Sequence, residues 1–252
     1  MIYITGDCHG RFGKFSMKNF PEQKNMSKED TVIICGDFGG IWDRENMISS
    51  EEKHWLKWLE DKNFTTVFVD GNHENFDRIA RFEVIEWNGG KVHKIGESIF
   101  HLMRGEVYNI EGKTFFTFGG ASSHDISDGI IEMDEQGKWR KTAKIWKKYG
   151  KSFRVKNLEW WEQELPSGEE LEHAIETLKQ YDYHVDYIIT HCWPQHIVEK
   201  YIDRADAPDL LTKFFDEIAV KMEFKKWFFG HYHCDDVFEE KYRVLYKEIV
   251  RI

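Results

Sequence analysis

Short runs of β-branched and aromatic residues alternate along the chain with amphipathic or charged stretches, the pattern of strands interleaved with helices. Five of these runs end alike. "MIYIT" leads into Gly6-Asp7-Cys8-His9, "TVIIC" into Gly36-Asp37, "TTVFVD" into Gly71-Asn72-His73-Glu74, "VDYIIT" into His191, and "KWFF" into Gly230-His231-Tyr232-His233. Each predicted strand delivers ligand-type side chains at its carboxyl end. In layered α/β folds that edge is where sites assemble, because loops converge there while the strands hold their positions.

Between the third and fourth of these strands, "KVHKI", "SIFHLM", "EVYNI" and "TFFTF" are closely spaced and predict hairpins of a mixed or second sheet. Residues 156–180 predict two helices broken at Pro166, the second capped by Ser167 with Glu170. Residues 125–155 are charged and lack a strand pattern, and they read as a partly helical insertion placed to cover the site. No internal repeat, low-complexity tract or linker divides residues 1–252, which read as one domain.

Composition narrows the class. Apolar residues make up 41% of the chain and aromatics 15%, with only four prolines, so a bulky core is readily built and disorder is not expected. The formal charge of −10 argues against long nucleic acid and anionic lipid as partners, since both are held by Lys and Arg. No apolar stretch has the length of a membrane helix, and the opening residues show neither a basic n-region nor an h-region. Four scattered cysteines, Cys8, Cys35, Cys192 and Cys234, form no CxxC framework and fit a reducing compartment. The expectation is a cytoplasmic protein. The oligomeric state has no signature here.

The strand ends carry the chemistry. In an extended strand residues i and i+2 share a side, which pairs Asp7 with His9 and His231 with His233 as pincers around a cation. Asn72 and His73 diverge, so the amide oxygen suits a ligand and the imidazole is left to move a proton. Asp37, with two carboxylate oxygens, can bridge two cations. Asp7, His9, Asp37, Asn72, His191, His231 and His233 are too many for one four-coordinate zinc but suit two ions that share a carboxylate and a water. Nitrogen and oxygen donors without thiolate favour Mn, Fe, Zn or Ni over Ca or Mg. A pair of such ions is machinery for hydrolysing phosphate esters.

The ordered set "GDCHG", "GDFGG", "GNHE", "THCWP" and "GHYH" resembles the calcineurin-like metallophosphoesterases, whose pattern is GDxHG, GD, GNHE or GNHD, a later His, and GHxH. The resemblance spans residues 6 to 233. It implies a four-layer α/β/β/α sandwich with mixed sheets and a dinuclear centre. Asp7, His9 and His233 would hold one ion, Asn72, His191 and His231 the other, and Asp37 would bridge them. His73 would give a proton to the leaving oxygen while a bridging hydroxide attacks phosphorus. Two divalent ions, Mn²⁺ first, are the implied cofactors, and a phosphorylated small molecule or nucleotide the implied substrate. Protein phosphatases of the family carry Asp and Arg in a GDxVDRG stretch, whereas this chain reads Gly36-Asp37-Phe38-Gly39-Gly40-Ile41. The phosphate-clamping Arg and the Asp that orients the catalytic His are missing there, leaving Asp43, Arg44, Arg78 and Arg104 as candidate substitutes.

Two other functions compete with a phosphoesterase acting on small esters. One is a metal-dependent nuclease or nucleotide phosphodiesterase, the other a non-catalytic module stabilised by metal. The cysteines read as small buried strand residues, and Trp160, Trp161 and Trp193 as core. His124 and Asp125, in "GGASSHD", follow a strand and are the remaining pair with a claim on the site.

Overall fold

A computed structural model describes residues 1–201 and 207–252. The apolar runs form two mixed sheets. One has seven strands in the order β15 (Ile249–Arg251), β1 (Ile2–Thr5), β2 (Thr31–Ile34), β3 (Thr65–Phe68), β6 (Ile99–Leu102), β5 (Gly90–Lys94) and β4 (Val84–Trp87). The other has six, β13 (Asp236–Phe238), β14 (Tyr242–Val244), β12 (Lys226–Phe229), β11 (Tyr187–Thr190), β8 (Lys113–Phe118) and β7 (Glu106–Ile110). The first sheet is parallel from β1 through β6 and the second from β8 through β14. Antiparallel strands flank each parallel group. The expected hairpins divide between the sheets: β5 pairs with β6 in the first and β7 with β8 in the second.

Burial on both faces explains why these strands are nearly continuous apolar runs. Alternation still assigns each side chain to a layer. Ile2, Ile4, Ile33 and Val67 point inward and meet Phe115, Ile189 and Phe228 of the other sheet. Tyr3, Val32, Ile34 and Phe68 point outward onto Phe15, Phe20 and Leu59, the last from helix α1 (Ser50–Glu60). A single-turn helix, α2 (Phe76–Ile79), follows the third strand-end loop. Beyond the second sheet, Phe116, Ile188, Trp227 and Phe229 are covered by α4 (Gly168–Gln180), α5 (Gln195–Tyr201) and α6 (Leu210–Lys221). The result is the expected four-layer α/β/β/α sandwich.

Two local expectations need correction. Residues 156–180 hold one α-helix instead of two. Its capping box forms as expected, with Glu170 N–H donating to Ser167 Oγ at 3.2 Å and Ser167 N–H to the Glu170 carboxylate at 2.7 Å. Residues 156–165 instead form turns and a 3₁₀ turn at Glu162–Glu164. Tertiary partners outweigh helix propensity there: the Trp161 indole donates to Asp77 at 2.9 Å, and Glu164 is buried accepting the Ser123 N–H. The stretch 125–155 is partly helical, α3 spanning Trp139–Lys148. It also contains two strands that its pattern hides, β9 (Gly129–Ile131) and β10 (Phe153–Val155), paired as a parallel ribbon. At three residues each they are too short to show a period.

Candidate active site

The loops after β1, β2, β3, β11 and β12 meet at one end of the two sheets. Cys8 N–H and His9 N–H both donate to Asp37 O at 2.9 Å, knitting the first two loops together. Glu74 ties in the third by accepting the Phe38 N–H at 2.7 Å. The glycines before Asp7, Asp37, Asn72 and His231 permit this approach. A Cβ on Gly71 would lie 2.1 Å from Asp37 Oδ1, and one on Gly230 would lie 2.2 Å from Asp7 Oδ1.

Asp7, His9, Asp37 and His233 each offer a ligand atom, all within 4.8 Å of one another. The Nε2 atoms of His9 and His233 are 2.9 Å apart, and His233 Nε2 is 3.1 Å from Asp7 Oδ2. On the other side, Asp37 Oδ1 is 3.2 Å from His191 Nε2. The His231 ring packs against that of His191 at 4.9 Å. Buried Asn72 follows Gly71 in the adjoining loop. His231 and His233 therefore serve opposite sides, contrary to a pincer built on strand alternation. These residues lie beyond the strands, and His9, His231 and His233 have φ of 49°, 70° and 51°, so turns rather than the pleat aim them.

The donor set fits divalent cations. Asn72 Oδ1 is buried without a hydrogen bond, a costly arrangement unless something else satisfies it, while Asp7 Oδ2 and His191 Nε2, equally buried, meet only His233 and Asp37 at 3.1 and 3.2 Å. Burial opposes ionisation of Asp37, but His191 and the neighbouring imidazoles overcome it and hold the carboxyl far below its usual range. Burial likewise lowers His191, yet Asp37 and Asp7 outweigh it and raise the ring to about 9. Two buried carboxylates thus call for positive charge at this spot. Burial, aided by the His191 cation, holds His231 down to about 3; a metal ion bound here would take the place of the His191 proton as the positive charge.

His73 is fixed through its backbone, whose N–H donates to Asp37 Oδ1 at 2.9 Å. Its ring meets His9 edge to face at 4.9 Å, lies 5.8 Å from Trp42, and has Arg154 Nη2 3.3 Å from Nε2. Burial, with Arg154 adding to it, lowers this ring to about 4.

Of the candidate substitutes, Arg78 is paired with buried Glu52 and Arg104 with buried Asp70. Asp43 accepts the Ser49 N–H, and Arg44 is directed to Met133 Sδ. Arg154, in the hidden strand β10, is the arginine against His73. Asp125 holds Arg154 Nε at 2.7 Å, and the His124 ring lies 5.7 Å from that of His231, so both members of that pair reach the rim. The signal for Arg154 was weak: one arginine in a segment full of cations.

Cys8, Cys35 and Cys192 are buried and Cys234 half-buried, all free; burial pushes the Cys8 thiol up to about 12, so it stays unreactive. Trp161 and Trp193 are core, and Trp160 is half-buried. Among the described residues no helix is long and apolar enough to cross a membrane.

Glu164, behind Arg154, gives a stability prediction. Burial pushes its carboxyl from 4.5 to about 8 although Arg154 pulls the other way. Between those values the folded state keeps a proton that the unfolded state has released, so stability falls as pH rises. Wild type is expected to lose Tm relative to Glu164→Gln steadily across that window. A Tm difference independent of pH would refute the assignment.

Residues 1–235 match the family model of the calcineurin-like phosphoesterases, and the chain belongs to that family. Membership implies divalent metal ions. Among curated proteins it is similar to lariat debranching enzyme A of Xenopus laevis, 21% identical over 258 residues, covering 92% of this chain and 42% of that enzyme. The lariat debranching enzyme of Gallus gallus is 20% identical over 208 residues, covering 78% of this chain and 33% of that enzyme. The chain thus spans less than half the length of these relatives.

Proposed function

We propose that the chain is a metal-dependent hydrolase of phosphate esters with His73 as general acid. The observation that carries this reading is the grouping of Asp7, His9, Asp37 and His233 beside the unsatisfied buried Oδ1 of Asn72 and the His191 ring, with His73 at its edge. In this assignment Asp7, His9 and His233 hold one ion, Asn72, His191 and His231 the second, and Asp37 both. When bound, such ions supply Lewis acidity toward phosphoryl oxygens and acidify water. Asp37 keeps the His73 backbone in place, and the His73 ring, free of the ligand set, gives the departing oxygen its proton.

A phosphodiester is the second reading, favoured by two grooves that share His9 and Arg11. One, about 300 Å³, runs past Trp42 and Trp55 to His73. The other, about 910 Å³, passes Lys14 and Tyr246, whose ring stacks on His233 at 4.7 Å. Two grooves give a diester's two substituents separate places. The lariat debranching relatives, by name, act on a branched substrate, which the same arrangement suits.

Chelated protein is expected to be inactive on p-nitrophenyl phosphate and bis-p-nitrophenyl phosphate, and to regain activity with Mn²⁺. A faster rate on the bis-ester selects the diesterase reading. Stoichiometric metal binding with turnover of neither ester would instead leave a non-catalytic module.

A further inference from the structure

We propose that Arg154 binds the phosphoryl oxygens of the substrate, carried to the site by the ribbon of β9 and β10. The inference rests on the phosphoesterase reading above. In the loop after Asp37, Arg44 is directed to Met133 Sδ. Arg78 and Arg104, from later loops, are committed to buried carboxylates. Arg11 lines the grooves beside His9 and not the His73 Nε2 face that Arg154 meets. Arg154 is itself buried and held from behind. Its Nε is 2.7 Å from Asp125, and Nη1 donates to Asn72 O at 3.3 Å and Glu159 O at 3.2 Å, with Glu164 Oε1 at 3.6 Å.

Those partners, on Nε and Nη1, fix the plane of the guanidinium. Nη2 is left facing His73 Nε2 at 3.3 Å. An imidazole nitrogen is a poor partner for a buried cation, whereas a phosphoryl oxygen forms a shorter, charge-assisted bond with a guanidinium. Because Nη2 and Nε2 are in contact, a phosphoryl oxygen that reaches the His73 ring also comes within reach of the cation. The bond from Nη1 to Asn72 O couples this position to the loop of a proposed metal ligand. The cation that the GDFGG stretch lacks thus arrives from a different part of the chain.

The test compares wild type, Arg154→Lys and Arg154→Ala, all loaded with Mn²⁺, by steady-state kinetics on the nitrophenyl esters and by calorimetric titration with inorganic phosphate. Arg154→Ala is expected to raise both KM and the Kd for phosphate about ten- to a hundredfold, the loss of one charge-assisted hydrogen bond. Arg154→Lys should fall between, and added guanidinium should partly restore Arg154→Ala. Unchanged KM and Kd with only a lower Tm would make Arg154 a structural clip and overturn the proposal. A lower kcat at unchanged KM and Kd would overturn it too, assigning Arg154 to positioning His73. Should Arg154→Ala not fold, Asp125→Ala, at a half-exposed position, loosens the guanidinium and is expected to raise KM and Kd severalfold at unchanged Tm. An unchanged Kd there sinks the idea. If wild type binds metal but hydrolyses neither ester, the phosphoesterase reading fails, while the phosphate titrations still decide the role of Arg154.

Discussion

Asp37→Asn protein is expected to lose both its metal ions and its turnover. The carboxylate is central: Oδ1 faces His191 Nε2 at 3.2 Å and accepts the His73 N–H at 2.9 Å, while Oδ2 lies 3.7 Å from His9 Nδ1. An amide of the same shape keeps one carbonyl oxygen but loses the negative charge. It also turns two N–H groups toward neighbours that include donors. Both proposed ions lose a ligand at once, so activity should fall by more than about a hundredfold, the upper end of what losing a mere supporting partner costs a metal site. Metal content measured after gel filtration should drop well below that of wild type. Without the carboxylate, His191 also loses the first charge that holds its proton. A variant that retains stoichiometric metal and full activity would remove Asp37 from the centre.

How much of this was legible in the sequence differs by layer. The five site strands were plain because they are buried on both faces and read as mainly apolar runs, four of them before a Gly-X turn. The ligand-type residues were plain because they recur at those strand ends. Their grouping was less so, since His9, His231 and His233 adopt left-handed turns that a period-two argument cannot foresee. Alternation pairs His231 with His233, yet the turn sends one toward His191 and the other toward Asp7. Arg154 was missed for another reason. Its strand is three residues long, it pairs with a distant partner, and what makes the arginine special is its set of tertiary contacts with Asp125, Asn72 and His73. The helix expected over 156–165 fails likewise, because burial of Trp161 and Glu164 against other loops decides that backbone.

His73→Ala is expected to separate proton transfer from metal binding. The proposed ligand set does not include the His73 side chain, and its tie to Asp37 runs through the backbone N–H, which alanine retains. Metal content should therefore stay at the wild-type level, in contrast with Asp37→Asn. The cost should depend on the leaving group. p-Nitrophenolate departs without a proton, so its ester should lose little, whereas an alkyl ester, whose alkoxide must be protonated, should slow by about 10²- to 10⁴-fold. An anionic ester beside the ring also supplies the negative charge that favours a protonated imidazole, opposing the burial and the Arg154 charge that lower it in the free protein. A plot of log kcat/KM against leaving-group pKa should thus be steeper for the variant than for wild type. Equal losses across the series would show that His73 places the substrate or a ligand instead of donating a proton. Loss of metal along with activity would return it to the ligand set. Only a selective loss on poor leaving groups, at constant metal content, fits an imidazole whose single task is the proton.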